Sequence, residues 1–204
     1  QALADASFAH FGQVDLLFNN AGILRSGLSW EVSPEDWRQQ LEVNFMGVVH
    51  GVHSFVPRLL KQGTVAHIVN TASIAAFLAS PLMGPYTVSK QAVLAFTETL
   101  SYELQMLQAQ IGVSLLCPGP VVSAIAESDA VAVPGSPQDQ LQAGLRQGIE
   151  AGMTAAECAG IVFEAIAENR FWIFPHPEFL PTWESAVNDV KMGKNPIYQA
   201  FEME

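Results

Sequence analysis

A chain of 204 residues can bury a sizeable single core, and one that is 50% apolar with a mean hydropathy of +0.23 points to a large covered sheet, a subunit interface, or both. Nine Lys and Arg against twenty Asp and Glu leave a net charge of −11, which argues against a nucleic-acid backbone or an anionic membrane as partner. A small molecule is the ligand class that remains, since no run approaches the roughly 18 apolar residues of a membrane span and no signal-peptide pattern opens the chain.

Residues 1–11 read as the end of a helix, with Leu3, Ala6, Phe8 and Phe11 forming a partial stripe that Gly12 closes. No helix-start signal precedes it, so an earlier stretch is expected to be missing. Residues 14–18 form a short apolar run fitting a buried strand. It leads into Asn19-Asn20-Ala21-Gly22, small and amide residues suited to a tight strand exit. Ser33-Pro34-Glu35-Asp36 is a helix start, with Ser33 as cap, Pro34 in the first position and acids in the first turn. The helical pattern runs to about Leu60, and Pro57 is expected to kink it or end its regular part. Asn44 falls inside that helix, where a buried amide needs partners; a bridging role and a functional one are both open.

Residues 65–72 read as the next strand, with Ser73 at its exit. Pro85 opens a helix to about Leu107 whose apolar positions exceed one stripe, which predicts packing against its own sheet and against a partner subunit. A third strand at 113–117 stops at Pro118-Gly119-Pro120. Residues 121–137 are irregular and read equally as a lid or as a plain connector. Helices follow at about 138–151 and, from a capping box at Thr154-Ala155-Ala156-Glu157, to about Glu168. A last short strand at 171–174 is broken by Pro175-His176-Pro177, and a helix and polar tail complete the chain. Cys117 and Cys158 match no zinc pattern and read as buried thiols of a reducing, cytoplasmic compartment. His10, His50, His53, His67 and His176 read as surface or core residues, so no metal is expected.

Alternating strands and helices predict an α/β fold, a doubly wound parallel sheet with helices on both faces, in which ligands bind beyond the carboxyl ends of the strands. Those exits carry residues 19–22, Ser73 and Pro118-Gly119. Tyr86 and Lys90 lie four apart on one predicted helix face. A neighbouring ammonium favours the phenolate and brings proton transfer by a phenol into range, although an isolated pair of this kind reads as a surface feature.

Taken in order, Asn19-Asn20-Ala21-Gly22 after a strand, Asn44, Ser73, Tyr86-Thr87-Val88-Ser89-Lys90 and Pro118-Gly119 resemble the classical short-chain dehydrogenase/reductase family over nearly the whole chain. The resemblance implies one Rossmann-like domain over 1–204, with a substrate lid at about 121–152. It implies an NAD(P)-dependent oxidoreductase of secondary alcohols and ketones, with NAD or NADP as cofactor. Tyr86 would be the acid/base, Lys90 would lower its pKa and bind the nicotinamide ribose, Ser73 would polarise the substrate oxygen, and Asn44 would hold a relay water. Asn19, Ala21 and Gly22 would border the cofactor, with Pro118, Gly119 and Val121 near its carboxamide. Ser123 stands where the family usually has threonine and keeps the hydroxyl. The stretch Phe171 to Glu178 is also similar to a bacterial subgroup that includes oxidisers of benzylic alcohols in lignin-derived aryl ethers.

The family's opening strand, its Thr-Gly-x-x-x-Gly-x-Gly turn and the strand that selects NAD or NADP have no counterpart here, a deficit of roughly 80 residues at about thirty per βαβ unit. Gly144, Gly148 and Gly152 lie in a late helical segment and do not replace that turn. The pyrophosphate would lack its backbone donors, so the 204-residue chain by itself is expected to bind a dinucleotide poorly. The alternative expectation is a truncated, inactive homologue serving as a dimerisation or scaffold module; a lyase or epimerase using the same Tyr-Lys pair is a further one. Expected partners are a small neutral, largely apolar substrate, because Arg146 is the sole cation of the lid, and a second or further copies of the chain, as homodimer or homotetramer.

Overall fold

Four parallel strands lie side by side in chain order: β1 (Leu16–Asn19), β2 (Ala66–Thr71), β3 (Ile111–Leu116) and β4 (Trp172–Ile173). The computed structural model describes residues 1–128 and 132–198. Parallel neighbours need crossovers, and helices supply each one. α1 (Ala2–Phe11) precedes β1. Between β1 and β2 the chain runs through α2 (Pro34–Leu41), a π-helical turn (Glu42–Met46) and α3 (Gly47–Gln62). α4 (Gly84–Met106) joins β2 to β3, α5 (Pro137–Glu150) and α6 (Ala155–Ala167) join β3 to β4, and α7 (Leu180–Lys191) follows.

The expected starts are the observed ones. Ser33 Oγ accepts from the Asp36 N–H at 3.0 Å, and Thr154 and Glu157 form a reciprocal box in which Glu157 Oε2 accepts from the Thr154 N–H at 2.9 Å. Pro57 does not end the helix: α3 continues through it and stops at Gly63, whose φ of 70° provides a left-handed cap. The intrahelical partner that Pro57 removes is the one for the His53 carbonyl. Both residues lie on the exposed side of the helix, where the loss of one intrahelical bond costs least.

The sheet is covered on both faces. Leu17, Ile68 and Val113 are in register and pack with Ala4 of α1, Phe55 and Leu59 of α3, and Leu100 and Leu104 of α4. On the opposite face, Val69, Leu116 and Ile173 meet Cys158, Val162 and Ala165 of α6. This two-sided burial explains why β2 shows no polar alternation. Its polar residues are paired: His67 Nε2 lies 2.7 Å from Ser114 Oγ, which donates to the Arg170 carbonyl at 2.6 Å. β1 has no strand on its outer side among the described residues. Leu16 and Phe18 share one of its faces and are partly exposed, with the Phe18 ring 6.1 Å from that of Phe163 in α6. Among the described residues no helix is long and apolar enough to cross a membrane.

Candidate active site

The carboxyl ends of β2 and β3 deliver Ser73 and the 118–120 turn to the same place, and the first turns of α4 bring Tyr86 and Lys90 beside them. Tyr86, Lys90 and Ser73 are all buried, with Lys90 only 2% exposed. Helical spacing stacks Lys90 on Tyr86, the ammonium 5.6 Å from the ring centre, and Lys90 Nζ donates to the Thr71 carbonyl at 2.9 Å. Ser73 caps a short 3₁₀ turn (Ile74–Ala76): its Oγ accepts from the Ala75 N–H at 3.2 Å and donates weakly to the Pro118 carbonyl at 3.4 Å. The same hydroxyl lies near enough to the Tyr86 phenol to favour its ionised form.

Burial governs the ionisation of these groups. It raises the Tyr86 pKa above the ordinary tyrosine range, with the Ser73 hydroxyl opposing it, and brings Lys90 down to about 8, with Cys117 opposing. Cys117, behind the lysine, is pushed up to about 12 by the same desolvation. The ammonium is tied to the end of β2 and faces the ring, and the cost of burying a phenolate is the larger effect.

Asn44 sits in the π-helical turn, fully buried. Its Oδ1 accepts from the Ile23 N–H at 2.8 Å, and its Nδ2 donates to the Ile23 carbonyl at 3.0 Å and to Ser89 Oγ at 3.1 Å. One amide thus ties the loop after β1 to α4, one residue before Lys90. Ser89 in turn donates to the Tyr86 carbonyl at 2.7 Å. Gly22 lies in the same corner, where a Cβ would stand 3.5 Å from Asn44 Oδ1 and 3.6 Å from Lys90 Nζ. Ala21 is exposed beside it.

Asn19 is engaged elsewhere. Its Nδ2 donates to Asn70 Oδ1 across the strands at 2.8 Å, Asn70 donates to Thr97 Oγ1 at 3.0 Å, and Gly51 of α3 presses on the same carboxamide. This residue braces the end of β1. Pro118 and Gly119 are half-buried next to Ser73, but the Gly119 N–H is already donated to His176 Nδ1 at 3.0 Å. Val121 pairs with Met153 in an isolated bridge, and Ser123 is exposed, its hydroxyl donating to the Val121 carbonyl at 3.1 Å. Of the expected lid, residues 129–131 lie outside the described residues. α5 lies over the site, with Leu141, Leu145 and Ile125 packed around Leu24, Met83 and Tyr86. Gln138 Nε2 donates to the Ser26 carbonyl at 3.0 Å and Gln142 Nε2 to Ser26 Oγ at 3.3 Å, holding α5 to the loop after β1.

Sequence reasoning missed the Thr71 carbonyl and the His176 contact. A main-chain acceptor leaves no trace in residue identity, whereas the Pro175-His176-Pro177 bracket is a local signal that one histidine is held stiffly. Among the described residues no group of three His, Cys, Asp or Glu is placed to hold a metal ion.

A parallel sheet of four strands with flanking helices, and a buried serine, tyrosine and lysine brought together near the carboxyl ends of β2 and β3, defines a Rossmann-like α/β protein. The model of the short chain dehydrogenase family matches residues 1–132, and the chain belongs to that family. It is 34% identical over 191 residues to a CLA biosynthesis dehydrogenase/reductase from Lactiplantibacillus plantarum, covering 88% of this chain and 67% of that protein. It is 36% identical over 180 residues to a 1-deoxy-11-beta-hydroxypentalenate dehydrogenase from Streptomyces exfoliatus, covering 87% and 60%. A crystal structure of a short-chain dehydrogenase/reductase from Burkholderia phymatum in complex with NAD superimposes with a TM-score of 0.92 at 42% identity, covering 97% of this chain and 74% of that one. The chain thus spans 60–67% of the length of these two curated relatives.

Proposed function

We propose that the protein is an NAD(P)-dependent oxidoreductase that interconverts a secondary alcohol and a ketone, with Tyr86 as acid/base. The observation that carries this reading is the joint burial of Ser73, Tyr86 and Lys90 at the carboxyl ends of β2 and β3, with the Lys90 ammonium over the Tyr86 ring. The family's dehydrogenase relatives and the NAD in the Burkholderia phymatum structure support the same class.

The residues present fit the nicotinamide end of such a cofactor. Lys90 keeps two ammonium donors after its bond to Thr71, and they share a corner with Gly22, where the missing side chain lets a ligand approach. The nicotinamide, when bound, supplies or accepts the hydride. Tyr86 holds the proton that moves between phenol and substrate oxygen, and its raised pKa keeps it protonated at neutral pH. Ser73 orients that oxygen, while Asn44 fixes the loop and α4 around Lys90. Gly119 contributes the shape of its turn to the carboxamide side, since its N–H already serves His176.

The apolar groups that α5 sets around Tyr86 favour a neutral, largely apolar substrate, with residues 121–152 as lid of a single domain. Val88, Tyr102 and Met106 leave an apolar exposed side on α4, which supports pairing with further copies of the chain. The test is Tyr86→Phe in the intact enzyme, followed by nicotinamide absorbance with NADH and NADPH. A loss of at least about a hundredfold in kcat with the fold preserved is expected, and near-parental turnover would refute the assignment.

A further inference from the structure

We infer that His176 is a positioning residue: its ring holds the 118–120 turn in the shape that the active site uses. This rests on the oxidoreductase reading above, in which that turn borders the nicotinamide carboxamide. Pro118 and Pro120 have no N–H, so Gly119 carries the single backbone donor of the turn. That donor goes to His176 Nδ1 at 3.0 Å. The turn's other ends are also fixed. The Pro118 carbonyl accepts from the Ile74 N–H at 3.0 Å, next to Ser73, and the Pro120 carbonyl accepts from the Met153 N–H at 3.1 Å. His176 closes this set from the chain segment after β4, 57 residues away in sequence.

The ring is built into the turn as well as bonded to it. A Cβ on Gly119 would lie 3.0 Å from His176 Cγ and 3.0 Å from Phe179 Cε2, so glycine is the residue that lets imidazole and backbone meet. His176 is 8% exposed and bracketed by Pro175 and Pro177, which limits its freedom to leave. Because Nδ1 accepts, the neutral ring carries its proton on Nε2, and Nδ1 remains the acceptor for Gly119. His176 therefore acts on the site through Gly119 and touches no reacting atom.

The position of the acceptor provides the test. The side-chain oxygen of asparagine reaches the place of Nδ1, glutamine carries its acceptor one bond further out, and leucine has none. In the intact enzyme, His176→Leu should speed hydrogen exchange of the Gly119 amide about tenfold, measured by NMR without cofactor. It should raise the KM for the nicotinamide cofactor about three- to tenfold, the range expected for one net hydrogen bond, with a smaller change in kcat. His176→Asn should restore both readouts and His176→Gln neither. Should the leucine variant fail to fold, the Asn and Gln pair carries the same comparison. Gly119 exchange as slow as in the parent when the acceptor is removed, or asparagine no better than glutamine, overturns the inference. Full turnover by Tyr86→Phe would instead remove the oxidoreductase reading, and the exchange data would still decide the contact.

Discussion

Lys90 Nζ donates to the Thr71 carbonyl at 2.9 Å and stands 5.6 Å from the centre of the Tyr86 ring. The ammonium is therefore anchored to the sheet and stacked on the aromatic face, and burial moves both groups toward their neutral forms. Tyr86 resists losing its proton while Lys90 gives its own up near pH 8. A centre of this kind rests as phenol, the form that protonates an alkoxide.

The buried lysine should be visible in stability. In the unfolded chain it binds its proton up to about pH 10.5, and in the fold only up to about 8. Between those values the unfolded state holds the extra proton, so stability rises with pH across the window, by on the order of 3 kcal/mol at most. Below about pH 8 both states are protonated and the whole penalty is present. Lys90→Met should remove this dependence, and its unpaired Thr71 carbonyl adds only a constant offset. Urea midpoints of parent and variant from pH 7.5 to 10 should converge or cross, and parallel curves would contradict the desolvation argument.

Ser73 has two tasks that substitution can separate. Ser73→Ala removes the cap on the Ala75 N–H and the hydroxyl beside the Tyr86 phenol together, so a stability loss of about 1 kcal/mol should accompany a fall in kcat of about a hundredfold or more. Ser73→Thr keeps the hydroxyl and should retain most of both. Calorimetry and steady-state rates on the intact enzyme make the comparison, and an alanine variant as active as the threonine one would exclude Ser73 from the proton-transfer centre.

The sequence makes legible those features that a residue announces locally. Ser33-Pro34 and the Thr154 box mark helix starts, apolar runs mark covered strands, and the spacing of Tyr86 and Lys90 fixes their shared face. What stayed hidden depends on partners distant in the chain. Asn19 is read as a border of the ligand site, yet its amide faces Asn70 and Gly51, and His176 reads as a surface or core histidine until the Gly119 N–H is seen against it. The π-helical turn at Asn44 has no compositional mark either, because the extra residue per turn is imposed by the tertiary bonds to Ile23 and Ser89.

Both cysteines should be inert in the native protein. Burial raises Cys117 to about 12 and Cys158 above its ordinary value, so neither offers thiolate at pH 7.5. Thiol titration with an aromatic disulfide reagent is expected to find neither reactive in buffer and both in denaturant. Rapid reaction of Cys117 in buffer would mean that the strand exit behind Lys90 opens readily.

The contact between Asn19 and Gly51 yields the sharpest packing test. A Cβ on Gly51 would lie 2.9 Å from Asn19 Cγ and closer still to its oxygen, so Gly51→Ala must displace the amide from Asn70. Asn70 is fully buried and would keep only its Thr97 partner. Overpacking together with a lost buried hydrogen bond should cost about 2–4 kcal/mol. Asn19→Ala removes the clash in advance but also the hydrogen bond, so it should cost about 1–3 kcal/mol by itself. Adding Gly51→Ala on that background should then cost little, and could regain part of the loss through the glycine's helix propensity. A double-mutant cycle in urea should show a coupling of at least about 1 kcal/mol. Additive costs would mean that α3 yields at Gly51 and that the amide is not what holds β1 to it.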